Sequence, residues 1–236
     1  MSNNHIDIEN RRTDLVVSMT KGLAGAIPFF GPMVSEVIGN IIPDQRQDRI
    51  IKFCHMLQEK LSNVEVRVEE IETRFKEEAF IDLFEDGLYQ VVRALSDERK
   101  EYIAAILKNG LSQDKLNYIQ QKKLLNILGQ LNDVEIIWLQ FYAFRSNEFF
   151  EKHQNVLEPA INTLGAPQEE QDKHSIQESY KVHLVNLGLL KIRFKKPKKG
   201  ELPEFDEKTG MIKASGYNST PLGRLLLRNM DLETYP

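Results

Sequence analysis

The chain has 236 residues, of which 41% are apolar and 28% are charged, as in an ordinary globular protein with one large domain or two small ones. Its net charge of -4 excludes a generally basic nucleic-acid-binding surface, so any such surface must be a local patch. Its single cysteine, Cys54, excludes an intramolecular disulfide and a cysteine-rich zinc site. The polar, acidic start does not have the basic-then-apolar order of a secretory signal, which predicts a cytoplasmic protein.

Hydrophobic patterning predicts a mainly α fold, in which a helical bundle with a long heptad helix precedes a small C-terminal winged-helix-like α+β module. We divide the chain into a polar tail (1–12), an apolar segment (13–43), a helical body (44–165), a polar linker (166–174) and the C-terminal module (175–236).

The apolar segment contains a block, residues 22–43, in which Glu36 is the one charged residue. The prolines on either side of Gly31 predict a bend between two helices, so the block is not one straight membrane span. Two interpretations remain open: a buried helix pair of the core, or a segment that enters lipid after a trigger. In the second, the inserting residues are Ile27, Phe29, Phe30, Met33, Val34, Val37, Ile38, Ile41 and Ile42. The residues that would allow close packing of its helices and the bend between them are Gly22, Gly25, Pro28, Gly31, Pro32 and Gly39.

A heptad pattern follows, with apolar residues spaced alternately by three and four over residues 50–75. It predicts a helix from about residue 44 to about residue 78, roughly 50 Å long. Such a helix must lie along a bundle or pair with a second copy of the chain. Cys54 occupies one core position of the pattern, and the predicted oligomer seam consists of Ile50, Leu57, Leu61, Val64, Val68, Ile71 and Phe75.

Four further helices are predicted in the body, over residues 80–94, 97–110, 114–131 and 133–144. Ser96 is a suitable N-cap for the second of them and Gly110 a suitable end. Asn132 or Asp133 can cap the fourth, whose apolar run predicts a central position in the fold.

The sequence of the C-terminal module predicts a helix, a β-hairpin and a second helix. A helix over residues 175–187 is followed by Gly188, by a strand over 189–194 and by a second strand over 211–214. Thr220 is the predicted N-cap of the last helix, with Pro221 in its first turn.

A basic wing lies in the loop of this hairpin and consists of Lys191, Arg193, Lys195, Lys196, Lys198 and Lys199. It is suited to contact phosphates, or it is a solvated loop on a protein-binding module. The preceding helix offers Lys181, His183 and Asn186 for reading bases, together with an acid, Glu178.

No motif for a nucleotide, a metal or a catalytic nucleophile is found, so we predict no enzyme, no catalytic residue, no metal and no cofactor. His55 follows Cys54 directly, but adjacent residues on a helix point about 100° apart and do not face each other. We therefore interpret Cys54 as a core residue.

Two stretches resemble bacterial anti-phage abortive-infection proteins of the Abi-alpha type and related pore-forming defence effectors. One is GLAGAIPFFGPMVSEVIGNIIPDQRQDRI, and the other is the pattern HLVNLGLL…YNSTPLGRLLLRNM, which is similar to the winged-helix-like ends of these proteins. The resemblance implies a dormant protein that senses a phage component, oligomerises, and permeabilises the anionic inner membrane in abortive infection. It implies that residues 22–43 insert into the membrane, that 175–236 are the sensor, and that a ring-shaped phage assembly protein is a conceivable trigger.

On this reading the protein is cytoplasmic at rest and at the inner membrane when activated. Its partners are further copies of itself, a phage protein and anionic lipid. Two alternatives stay open: a winged-helix DNA-binding regulator that uses the C-terminal module, and a soluble helical scaffold or adaptor whose apolar block is core.

Overall fold

The computed structural model describes residues 46–62, 73, 77–111, 115–161, 163, 165–195, 197, 200, 202–205 and 210–232. These residues are mainly helical, with a small two-stranded antiparallel sheet near the C-terminus, which confirms the predicted fold class. They fall into two units, one formed by the described residues up to Gly129 with Asn229–Asp231 and the other by the described residues from Gln130 to Arg228 with Leu232. Within the described residues, no helix is both long enough and apolar enough to cross a membrane. The polar tail and the apolar segment lie outside the described residues.

The first unit is built from helices α1 (Gln47–Ser62), α2 (Glu78–Arg93), α3 (Asp97–Leu111) and α4 (Lys115–Gln130). The first three pack against one another, because each carries apolar residues at the three- and four-residue spacing of a buried helix face. The largest fully buried side chains in this unit are Phe53, Phe84, Ile50, Leu57, Leu83, Leu88, Ile103, Ile106, Leu107, Leu124 and Leu125.

Polar contacts cap α3 and hold α4 against α2. Ser96 Oγ accepts the backbone N–H of Arg99 at 3.2 Å, so Ser96 caps α3 as predicted. Gln90 of α2 donates to the Leu125 carbonyl of α4 at 2.9 Å, and Asp82 of α2 pairs with Lys122 of α4. Gly110, predicted to end α3, lies inside it, and its missing side chain leaves room for Leu83.

Asn229–Asp231 complete the first unit. Asp231 Oδ2 lies 2.8 Å from Lys60 Nζ, and Asp231 Oδ1 lies 3.1 Å from Lys108 Nζ. Gln121 donates to Asn229 Oδ1 at 3.0 Å, and Met230 is buried. Two helices of the first unit, α1 and α3, therefore each supply a lysine to the same carboxylate.

The described part of the heptad helix is buried on a face wider than the predicted seam. Ile50, Cys54, Leu57 and Leu61 are buried as expected, and so is Phe53. This stripe is typical of a helix in a globular core rather than of a two-stranded coiled coil. The remaining seam residues, Val64, Val68, Ile71 and Phe75, lie outside the described residues. The oligomer seam stays a prediction, and its first three residues are covered within the chain, where α1 packs against α2 and α3.

The second unit contains five helices and the sheet among its described residues: α5 (Asp133–Phe144), α6 (Asn147–Lys152), α7 (Gln154–Leu157), α8 (Gln168–Asn186), β1 (Leu190–Phe194), β2 (Ala214–Ser219) and α9 (Pro221–Asn229). Helix α8 and strand β2 both pack on α5, and β1 packs on α8. Asn132 and Glu135 form a capping box at the start of α5, so Asn132, not Asp133, is its N-cap.

Three boundaries differ from the prediction. The helical body is not one unit, because the division falls at residues 129 and 130. The predicted linker is wrong for residues 168–174, which form the first two turns of α8. Glutamine, glutamate and lysine are good helix formers, so a polar stretch without hydrophobic periodicity can still begin a helix. The second strand is Ala214–Ser219, not 211–214, because pairing with β1 recruits a segment of weak strand propensity.

Candidate functional site in the C-terminal module

The turn after α8 is built around Gly188, as the sequence predicted. The N–H of Leu189 donates to the Leu184 carbonyl and that of Gly188 to the Val185 carbonyl, each at 2.9 Å. Gly188 has a φ of 72°, which glycine adopts readily. These bonds form a Schellman motif, and the buried pair Leu184 and Leu189 supplies its usual apolar contact. The motif turns the chain directly from α8 into β1.

Thr220 fixes the start of α9 against the same turn. Its Oγ1 accepts the N–H of Gly223 at 3.0 Å, which confirms it as the N-cap. Its hydroxyl also donates to the Gly188 carbonyl at 2.7 Å, and its N–H donates to the Leu189 carbonyl at 2.9 Å. A Cβ on Gly223 would lie 2.4 Å from the Leu189 carbonyl oxygen, so glycine is required for this close approach.

An aromatic cluster connects α5 to β2. The Trp138 and Tyr142 rings stack at 5.9 Å, and Tyr142 contacts Tyr217 of β2 with ring centroids 5.5 Å apart. Arg145, the left-handed C-cap of α5, donates to the Tyr217 carbonyl at 3.0 Å. The root of the hairpin is therefore anchored on α5 by rings and by a charged donor.

Two residues of α8 point into this cluster. Lys181 Nζ lies 5.0 Å from the centre of the Trp138 ring and 2.6 Å from Glu178 Oε1. The Tyr217 hydroxyl donates to the other Glu178 oxygen at 3.4 Å. Burial, together with Tyr217 and the charge of Glu178, raises the pKa of Tyr142. Burial and Glu178 likewise raise the pKa of Tyr217, so both hydroxyls stay protonated at neutral pH.

The base-reading surface predicted on this helix does not form. Lys181 is turned to Trp138, and His183 Nδ1 lies 2.6 Å from Glu135 Oε1, a buried carboxylate of α5. Of the three predicted residues, Asn186 is exposed, His183 is partly exposed beside Glu135, and Lys181 is mostly buried. The exposed side chains of α8 are acidic or neutral: Glu169 and Asp172 in its first two turns, then Ser175, Ile176, Ser179, Val182 and Asn186. A helix that meets the phosphates and bases of DNA needs cations among its exposed side chains, and those of α8 include none.

The hairpin has an apolar face and a basic face. Alternation along β1 places Leu190, Ile192 and Phe194 on one side and Lys191 and Arg193 on the other. Exposure of the apolar side chains increases away from the root, from 2% at Leu190 to 40% at Ile192 and 46% at Phe194. The basic wing is exposed at Lys191, Arg193 and Lys195. Its other members, Lys196, Lys198 and Lys199, lie outside the described residues.

Strand pairing continues past a register shift into the outer end of the hairpin. Arg193 pairs with Gly216, but Phe194 pairs with Ala214, so Ser215 is the extra residue of a bulge. Further out, Phe205 and Ile212 form an antiparallel bridge, and Lys195 Nζ lies 3.0 Å from Glu204 Oε1. Leu202, Phe205, Met211 and Ile212 are all exposed at this end.

The other residues singled out from the sequence lie in the first unit or outside the described residues. Cys54 is buried in the first unit, and burial raises the pKa of its thiol to about 12, while His55 beside it is exposed. The residues proposed to insert into membrane, from Ile27 to Ile42, and those proposed to pack or bend, from Gly22 to Gly39, lie outside the described residues.

The sequence reasoning missed the apolar half of this hairpin. Leu202, Phe205, Met211 and Ile212 stand singly or in pairs within a charged and glycine-containing stretch, so no periodicity marks them. A signal was nevertheless present, because large apolar residues are unusual in a loop rich in lysine, proline and glycine.

Comparison of the chain with protein-family models, with curated proteins and with solved structures finds no match.

Proposed function

We propose that this protein is an anti-phage effector that senses a phage component, oligomerises and permeabilises the inner membrane. The observation that carries the proposal is the block at residues 22–43, where 22 consecutive residues contain one charge. The resemblance of this block and of the chain's C-terminal pattern to abortive-infection effectors supports the same function. The protein would be cytoplasmic at rest and would reach the inner membrane on activation.

The described residues suggest how activation would be divided between the units. Helix α1 begins four residues after the block, and its seam residues Ile50, Leu57 and Leu61 are buried within the first unit. Oligomerisation through this seam would therefore require the first unit to open. The C-terminal module, residues 175–236, with the exposed neutral side chains of α8 from Ser175 to Asn186, is the proposed sensor for the phage protein.

Dye release from vesicles containing anionic lipid tests this function. The wild-type chain, with a phage lysate as trigger, is expected to release the dye, and Ile38→Asp is expected to abolish release because a charge in the inserting face opposes entry into lipid. Ile38→Leu is the matched control and should behave as the wild type. An Ile38→Asp variant that still protects cells from phage, with no leakage by any variant, would rule the proposal out.

The DNA-binding regulator remains a second candidate, because Lys191, Arg193 and Lys195 are exposed on the hairpin. Against it stands the inward orientation of Lys181 and His183. Salt-dependent DNA binding that is lost when Lys195, Lys196, Lys198 and Lys199 are replaced by glutamate would favour the regulator. Absence of both leakage and DNA binding would leave the scaffold or adaptor.

A further inference from the structure

The outer hairpin, residues 190–213, concentrates the exposed apolar side chains of the second unit. Six large apolar residues within it are solvent-exposed: Ile192, Phe194, Leu202, Phe205, Met211 and Ile212. Among the described residues, as many exposed large apolar residues are spread over the whole of the remaining chain. Leu202 is 87% exposed and Met211 is 68% exposed. Apolar side chains exposed to this extent contribute no hydrophobic stabilisation to the fold. Clustering of this kind marks a surface that is covered when the protein acts.

The same segment has a charge opposite to that of the chain. By sequence it contains eight basic and four acidic residues, whereas the whole chain has a net charge of -4. Lys191, Arg193, Lys195 and Lys213 are exposed among its described residues. The one acid described there, Glu204, is paired with Lys195. The hairpin therefore presents both exposed cations and exposed apolar side chains.

We propose that the outer hairpin binds the surface of an anionic phospholipid bilayer. Leu202, Phe205 and Met211 would enter the boundary between headgroups and acyl chains, a region that takes up the apolar side chains of interfacial segments. Lys191, Arg193 and Lys213 would lie among the headgroups, where each basic residue strengthens binding through the negative surface potential. Neither contribution requires a deep pocket or a bound ion.

A bilayer accounts for these side chains better than a nucleic acid does. Phosphates of a nucleic acid would attract the cations and bases could stack on Phe194 and Phe205, but a nucleic acid would leave the aliphatic Leu202, Met211 and Ile212 without a matching surface. The exposed side chains of α8 are neutral or acidic, so this helix does not extend a basic surface beside the hairpin. The inference goes beyond the proposed function and does not require it, because binding to a membrane surface does not by itself permeabilise the membrane.

Co-sedimentation of the full chain with vesicles tests the inference. Phosphatidylcholine vesicles with phosphatidylglycerol should bind the protein at low salt, and vesicles of phosphatidylcholine alone should bind it at least about tenfold more weakly. The double variant Leu202→Glu, Met211→Glu should lower binding to the anionic vesicles about tenfold or more, because two apolar side chains become acids. Leu95→Glu, at a position 84% exposed in the first unit, is the matched control and should bind as the wild type.

A second pair of variants tests the cations. Lys191→Glu with Lys213→Glu should reduce binding about tenfold or more, whereas Lys123→Glu on the exposed side of α4 should not change it. Unchanged binding by both hairpin double variants would overturn the inference. So would equal binding to both kinds of vesicle, or complete displacement of the protein from vesicles by a short DNA duplex. Trp138 fluorescence, which reports on the second unit, would show that the variants are folded.

The inference and the proposed function fail separately in this experiment. Loss of binding in Ile38→Asp, with full binding by the hairpin variants, would assign lipid contact to the apolar block and overturn the hairpin inference. If the hairpin variants lose vesicle binding but no trigger causes dye release, the hairpin inference would be supported. The pore-forming function would then be ruled out.

Discussion

In the first unit, Phe53, Phe84 and Leu107 are completely buried between helices, whereas in the second unit Phe194 and Phe205 are about half exposed on a hairpin. The difference lies in what covers each element. Helices α1, α2 and α3 each pack against at least two other helices, whereas the described side-chain contacts of the hairpin with α5 and α8 are made at Tyr217 and Asn218 of β2. Similar apolar residues therefore contribute stability in one unit and remain available for binding in the other.

The largest expected effect contrasts two phenylalanines. Phe84→Ala removes a fully buried ring from the first unit and should lower the free energy of unfolding by about 3–5 kcal/mol. Phe205→Ala removes an exposed ring and should change it by no more than about 0.5 kcal/mol. Urea unfolding followed by far-UV circular dichroism measures both. If the two variants lose equal free energy of unfolding, the Phe205 ring is buried in solution. The contrast between a buried first unit and an exposed hairpin would then be wrong.

A smaller effect is expected where α9 approaches the turn after α8. Gly223→Ala would place a Cβ 2.4 Å from the Leu189 carbonyl oxygen, a backbone atom that cannot rotate away. We expect the free energy of unfolding of the second unit to fall by about 1–3 kcal/mol, as it does when other well-packed sites are overfilled. Trp138 is the only tryptophan, so its fluorescence during urea unfolding follows this unit. Arg228→Ala on the exposed side of the same helix is the control and should lie within about 0.5 kcal/mol of the wild type.

Helix caps allow a closer comparison between the units. Thr220→Ala and Ser96→Ala each remove an N-cap and should each cost about 1 kcal/mol. The Thr220 variant should be the more destabilised, because its hydroxyl also donates to the Gly188 carbonyl. Thr220→Ser keeps both bonds and should recover most of the loss. A Thr220→Ala variant as stable as the wild type would show that the strand pairing alone holds this turn.

The smallest effect concerns Asp231 in the first unit. Burial favours its neutral form, but hydrogen bonds from Lys60 and Lys108 outweigh burial and lower its pKa below the ordinary value. A lowered pKa in the folded state means that the stabilisation is present above about pH 4, the unfolded value, and is lost as the pH falls through the folded pKa.

Asp231→Asn removes this dependence. Because the carboxylate is 37% exposed and screened by water, the loss at neutral pH should be at most about 1 kcal/mol. Stability measured by urea unfolding at neutral pH and below pH 4 should fall less in the variant than in the wild type. An identical fall in both proteins would show that the two lysines do not stabilise the charged form.

Local chemistry made much of the fold predictable. Ser96 and Thr220 were predicted to cap their helices and do so, and Asn132 is the cap of the two that were predicted for α5, because a short side chain that accepts a backbone N–H acts within three residues. Gly188 ends α8 for an equally local reason. The buried side of α1 was predictable because the spacing of its apolar residues repeats with the helix.

The candidate site was predictable only in part. The lysines and the arginine of the basic wing were identified from their clustering, and the described ones are exposed. The inward orientation of Lys181 and His183 was not predictable, because it depends on Trp138 and Glu135, residues more than 40 positions earlier in the chain. The composition of a helix does not show which distant residue each of its side chains will contact.

The sequence by itself determined how several helices are capped, which side of α1 is apolar and where positive charge collects, since all of these follow from neighbours within a few residues. Tertiary structure alone decided that residues 214–219 form a strand, that Lys181 and His183 of α8 contact residues of α5, and that the apolar residues of the hairpin stay exposed. Strand pairing and burial join residues distant in the chain, so they depend on the packing of the whole unit and not on any local pattern.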